Sequence, residues 1–156
     1  MAEYYLISQL PSLDGIGENA PIPITEERFL ELCNRFLGKK TQNEIKKLTL
    51  VPPLTPEKSS STLIETWNEG ERNLRIALGK VRAEKMKKPF DMGSSAVPIE
   101  RIKAASAAVD MESPLEAEKF LSDYRLGFLE TLRPMDTFSE DFVFYYGLKL
   151  KLMLRA

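Results

Sequence analysis

The residues best equipped for chemistry in this 156-residue chain are arginines, carboxylates and one thiol, because the sequence contains no histidine. Without His there is no Ser-His-Asp or Cys-His catalysis, no imidazole metal ligand and no imidazole pH switch. Cys33 is the only cysteine, which excludes an internal disulfide and a Cys-built zinc site. No catalytic residue, cofactor site or metal site is therefore expected, and the chain reads as a non-enzyme. Asp14, Glu26, Glu27, Glu116, Glu118, Asp123, Glu140 and Asp141 could do acid–base work if one were desolvated. Most of them fall where a helix should begin, and there they serve the helix dipole. Gly15-Ile16-Gly17-Glu18-Asn19-Ala20 has the letters of a dinucleotide fingerprint. That motif needs a helix opening at its end, and Pro21 and Pro23 block one, so the segment reads as a turn.

The arginines are more informative. Residues 69–88 hold seven basic side chains against three acidic ones, a net +4. Residues 1–31 hold one against six, a net −5. The formal net charge of −1 conceals this polarity. On a helix, Arg72, Arg75 and Arg82 share a face with Asn68 and Gly79, beside a stripe that starts at Trp67. Three uses of this face compete. One is a solvated face with pairs such as Glu71 with Arg75 and Glu84 with Lys88, each worth about 0.2–0.5 kcal/mol. Another is a protein interface in which Arg forks meet acidic partners. The third is phosphate-backbone binding, which lacks nearby exposed aromatic residues and a nucleic-acid motif here.

These residues must be positioned by helices. Residues 3–10 form a short apolar run that periodicity cannot divide between strand and helical turn. Residues 11–24, rich in Pro and Gly, read as loop. A helix over 25–37 takes Thr25 as N-cap and Gly38 as its C′ residue, with Phe29, Leu32, Cys33, Phe36 and Leu37 on one buried face. Thr41-Gln42-Asn43-Glu44 reads as a capping box for a second helix that ends before Pro52. Residues 51–61 and 89–97 are loops. Between them runs the longest helix, about 63–88, opened by the box Thr62-Leu63-Ile64-Glu65. Trp67, Leu74, Leu78 and Val81 form its stripe, and Gly70 and Ala77 permit close approach. A short Ala-rich helix over 98–109 points Ile99, Ile102 and Val109 inward. Ser113-Pro114-Leu115-Glu116 opens a helix that carries Leu115, Phe120, Leu121, Tyr124, Phe128 and Leu132 and stops at Pro134. The last helix starts near Thr137-Phe138-Ser139-Glu140 and is apolar almost all round from Phe142 to Leu154. Such a helix is central to a core or meets a partner, and we expect both uses of it. The expected fold is all-α, one compact helical domain over residues 1–156 with about six helices and one long central helix. With 43% apolar residues the chain has enough to build a core. No basic leader precedes an apolar run, and no apolar stretch reaches about 18 residues, so a cytoplasmic location without membrane insertion is expected.

Four stretches together resemble a known family. They are Tyr4-Tyr5-Leu6-Ile7-Ser8-Gln9-Leu10-Pro11, Trp67 to Leu78 with Arg82-Ala83, Ser113-Pro114-Leu115-Glu116-Ala117-Glu118, and Tyr146-Gly147-Leu148-Lys149-Leu150-Lys151. The family is an uncharacterised bacterial domain of unknown function encoded among V-type (A/V-type) ATPase genes. Glu71, Asn73, Leu74, Leu78 and Arg82-Ala83 also resemble the helix signature of the C/d-type central-stalk subunit, an all-helical, non-enzymatic socket on the membrane rotor ring. The resemblance implies a non-catalytic subunit or accessory protein that couples the central shaft to that ring or assists assembly. Its partners would be other ATPase subunits, with no small-molecule substrate, and it would be peripheral to the membrane through the complex. Trp67, Arg72, Arg75, Arg82, Tyr145 and Leu152 are the residues expected to contact a partner. The alternative is a helical nucleic-acid-binding module that uses the basic 69–88 helix.

Overall fold

The computed structural model describes residues 2–17, 20–53, 58–59, 61–90 and 97–155. Among them the chain forms seven α-helices and no strand. They are α1 (Ala2–Ile7), α2 (Glu26–Phe36), α3 (Lys39–Lys47), α4 (Thr62–Lys85), α5 (Ile99–Val109), α6 (Pro114–Thr131) and α7 (Glu140–Arg155). The expected all-helical class holds, and the run at 3–10 resolves as the short helix α1. Residues 54–57, 60 and 91–96 of the two expected loops lie outside the described residues, as do Glu18 and Asn19 of the glycine motif. Gly15 sits in a turn with φ +71, a conformation that favours glycine, and among the described residues the next helix after it opens at Glu26.

Helix starts follow side-chain caps. Thr25 accepts from the Arg28 amide, and Ser113 accepts from the Glu116 amide with Pro114 at the first helical position. Three expected boxes shift. The cap of α4 is Ser61 and not Thr62, because the Ser61 hydroxyl accepts from the Ile64 amide while donating to Asp141 at 2.7 Å. At α7 the Phe142 amide donates to Ser139, two residues closer to the helix than Thr137. Helix α3 begins earlier than its expected box, at Lys39, and the Thr41 hydroxyl donates to Glu140 instead. Gly38 is the C′ residue of α2, directly after the cap Leu37, but its backbone is not left-handed. Its φ is −68, and it serves as the extended residue between α2 and α3.

The helices enclose two apolar clusters. The larger surrounds α7, which packs against α1, α2, α3, α4 and α6. Leu6, Phe29, Leu32, Ile45, Leu63, Trp67 and Leu129 supply its walls. This explains why α7 is apolar all round: every residue from Phe142 to Leu148 is buried. Gly147 permits the closest approach, since a Cβ there would stand 2.9 Å from Leu48 and 3.1 Å from Phe29. The smaller cluster joins Leu74, Ala77 and Leu78 of α4 to Ala105 and Ala108 of α5 and Leu121 of α6. The alanines let α5 lie close along α4, and they set its rotation. Ile99 is consequently 70% exposed, against expectation, and Leu115 at the start of α6 is exposed too. Cys33 lies in the larger cluster, where burial pushes its thiol up to about 12.

Helix α4 ends at Lys85, three residues earlier than expected, in a Schellman turn. The Lys88 amide donates to the Ala83 carbonyl at 2.8 Å and the Lys87 amide to that of Glu84 at 3.1 Å. Pro89 follows and prevents resumption. Lys87 takes the left-handed position at φ +57, where its Cβ is crowded. Lys87→Gly should therefore raise unfolding stability by about 0.5–1 kcal/mol, read as a higher denaturant midpoint at unchanged slope.

Candidate functional site

Six residues were expected to contact a partner, and the structure separates them. Trp67 (1% exposed), Tyr145 (2%) and Leu152 (5%) lie in the larger cluster. Trp67 stacks on Phe128 and donates from Nε1 to the Thr49 carbonyl. The Tyr145 hydroxyl donates to Glu130. Arg72 and Arg75 serve the segment before α4. Arg72 Nε donates to the Pro53 carbonyl at 3.0 Å, and Arg75 Nη2 to that of Leu50 at 3.1 Å. The Pro-rich strap over 49–53 has carbonyls to satisfy, and three α4 side chains meet them. Arg82 is exposed, and the described structure shows it in no ion pair.

Residues that the sequence reading missed lie one turn along. Glu71 is 2% exposed, so it is not the surface partner of Arg75 that was expected. Arg125 of α6, also buried, reaches it with Nε at 2.9 Å and Nη2 at 2.9 Å, and Arg75 Nε joins at 3.0 Å. One carboxylate thus holds two guanidinium groups. Beside it Arg101 of α5, buried as well, lies 4.2 Å from the Phe128 ring centroid and donates to the Tyr124 hydroxyl, which donates to Glu100. Burial and the Glu100 carboxylate both raise the Tyr124 hydroxyl's pKa. Gly70 makes room for this layer, since a Cβ there would stand 2.4 Å from the Phe128 ring. The signal was present in the sequence. Glu71 falls between Trp67 and Leu74 on the apolar stripe of α4, and Arg125 falls between Leu121 and Leu129 on that of α6.

This layer borders a cleft of about 300 Å³ lined by Arg75, Leu78, Gly79, Arg82, Glu118, Leu121, Arg125 and Arg155. A smaller cavity of about 180 Å³ lies between the residues after α1 and the face of α7 that carries Tyr145 and Lys149. There Lys149 Nζ donates to Asp14 at 2.9 Å and Glu130 at 2.8 Å, and Arg133 makes a two-pronged pair with Asp14. The Arg133 and Lys149 hydrogen bonds lower the Asp14 pKa. Burial works against ionisation of Glu130, but the Lys149 and Tyr145 hydrogen bonds outweigh it and lower its pKa too. Burial likewise opposes the Lys149 ammonium, yet the two carboxylates raise its pKa well above the usual lysine range. Burial and Glu130 push Tyr145 up to about 12. Every group here is held in its neutral-pH protonation state, which suits an anchor and not a proton-transfer site.

No group of three or more Cys, Asp or Glu side chains able to hold a metal occurs among the described residues. No described helix is long and apolar enough to cross a membrane. Compared with known protein families, curated proteins and solved structures, the chain matches none of them.

Two outcomes follow from these groups. Glu71→Gln leaves the Arg125 guanidinium buried without its counter-charge and should cost about 3–5 kcal/mol in denaturant unfolding. The double variant Glu71→Leu, Arg125→Met should recover most of that loss; a double variant as unstable as the single one would mean that packing, not the charge pair, holds the layer. The second outcome concerns pH. Asp14 and Glu130 ionise below their ordinary values of 3.8 and 4.5, so their stabilisation is complete above those values and lost as pH falls through the lowered ones. The raised Lys149 value acts at the other end, with stabilisation lost only above its ordinary 10.5. Stability from this network should be level from about pH 5.5 to 9.5 and fall below about pH 4. Asp14→Asn with Glu130→Gln should flatten the acid limb of a stability–pH series.

Proposed function

We propose that this chain is a non-catalytic, helical coupling or accessory protein that docks through the basic end of α4. In its finer form it is a C/d-like subunit or assembly factor of a bacterial V/A-type ATPase, on the cytoplasmic side and peripheral to the membrane through that complex. The observation that carries the docking reading is the stretch 82–88. Helix α4 has 24 residues and is about 36 Å long at 1.5 Å per residue. Its last turn and cap, beyond the smaller apolar cluster, expose Arg82, Lys85, Lys87 and Lys88 around Met86, which is 60% exposed. Basic side chains around an accessible methionine suit an acidic partner surface with an apolar spot at its centre. The ATPase assignment rests on the sequence resemblance. The non-catalytic part is supported by the state of the reactive groups. The Cys33 thiol is buried and held protonated, and the Lys149 ammonium is fixed between two carboxylates.

Affinity capture of the tagged chain from its native host under mild conditions should bring down ATPase shaft and ring subunits. Lys85→Glu with Lys88→Glu should abolish the capture while the fold, followed by circular dichroism, is unchanged. A purified intact ATPase that lacks this chain removes the permanent-subunit form. The nucleic-acid alternative uses the same side chains and is recognised by a different signature, affinity that falls steeply and linearly in log salt.

A further inference from the structure

The cleft between α4, α6 and the end of α7 brings together four arginines from three helices: Arg75 and Arg82, Arg125, and Arg155. Two of them are fixed before any ligand arrives. Arg75 is held by Glu71 and the Leu50 carbonyl, and Arg125 by both oxygens of Glu71. The other two, Arg82 and Arg155, are exposed and make no ion pair in the described structure. The acids that face them are few: Glu118 on the wall, and Glu71 behind Arg75 and Arg125. Four positive charges against two negative ones leave a net +2 at the cleft. Glu71 cannot neutralise two guanidinium groups, so one of these two charges is built into the fold, and the exposed Arg82 and Arg155 against Glu118 supply the other.

We propose that this cleft binds a phosphate group. The +2 excess matches a phosphate dianion and would be only half met by a carboxylate. Guanidinium forks present paired N–H donors that fit phosphate oxygens two at a time. The unengaged forks are those of Arg82 and Arg155; Arg75 and Arg125, whose Nε and Nη2 are already bound, add pre-positioned charge and so lower the ordering cost of binding. Leu78 and Leu121 give an apolar wall beside the charges, and about 300 Å³ holds a phosphate with a small organic group, at the lower end of ligand sites. The group could come from free inorganic phosphate or from a small phosphate ester. The inference stands apart from the docking reading, since the isolated chain suffices to test it.

The experiment is calorimetric titration of the purified chain at fixed ionic strength with inorganic phosphate, pyrophosphate, phenyl phosphate and acetate. Saturable binding of the phosphate probes, and not of acetate, is expected. Arg82→Gln and Arg155→Gln should each weaken it about tenfold, the loss of one charge-assisted pair. Arg28→Gln, outside the cleft, should leave it unchanged. Arg82→Lys should restore part of the affinity, because the charge returns without the fork. Tighter binding of phenyl phosphate than of the inorganic ions identifies an ester as the source, and the reverse order identifies the free ion. Phosphate probes that bind no better than acetate overturn the proposal. So does affinity unchanged in both glutamine variants, whose exposed positions leave the fold intact.

Discussion

A single buried carboxylate organises this molecule. Glu71 lies among apolar neighbours on α4, and a lone ionised acid there would be severely destabilising. The fold answers by bringing Arg125 across from α6 and Arg75 up from the next turn of α4. These partners fix the register of α4 against α6, because sliding either helix by one turn would strand a charge. They also divide the interior. Trp67 and Leu129 belong to the larger apolar cluster and Leu74 and Leu121 to the smaller one, so the ionic layer lies at their boundary. A buried pair of this kind contributes little net stability compared with apolar side chains of equal volume, but it penalises misalignment heavily. That favours one rigid arrangement of α4 against α6.

The same economy of donors governs the irregular segments. The strap over 49–53 is tied to α4 by Trp67, Arg72 and Arg75, each donating to a main-chain carbonyl. The loop after α1 is tied to the residues just after α6 and to α7 by Asp14, Arg133, Lys149 and the bond from the Tyr146 hydroxyl to the Pro11 carbonyl. Long helices thus act as racks from which loops are suspended. Arginines that would read as a free recognition face are employed inside the molecule, and the accessible positive charge moves to the end of α4 and to the cleft.

The helices and most of their limits were legible in the sequence. Thr25 and Ser113 cap where pattern and chemistry agree, and the all-helical class followed from apolar spacing. Caps shifted where partners outside the local pattern intervened. Ser61 prevailed over Thr62 because Asp141, eighty residues away, accepts its proton, and no local pattern encodes such a partner. Ile99 was misplaced because alanines, not the larger aliphatics, form the contact face of α5. The apolar character of α7 was plain, but not its cause, which is enclosure by five other helices. Glu71 and Arg125 were readable as charges on apolar stripes. Arg72 and Arg75 were not, since their acceptors are carbonyls of a loop whose path the sequence does not state.

The position of α7 has a consequence for how the molecule is made. It is the centre of the larger cluster and follows in sequence all five helices that enclose it. Asp14 meets Arg133 across 119 residues, and Pro11 meets Tyr146 across 135. On the ribosome, which releases the N-terminus first, α1, α2 and α3 therefore emerge with no helix to close their apolar faces. Helices α4, α5 and α6 have their own smaller cluster and can assemble as they appear. Helices α1, α2 and α3 must wait for α7 to complete their cluster, and until it is made their apolar faces are open to aggregation.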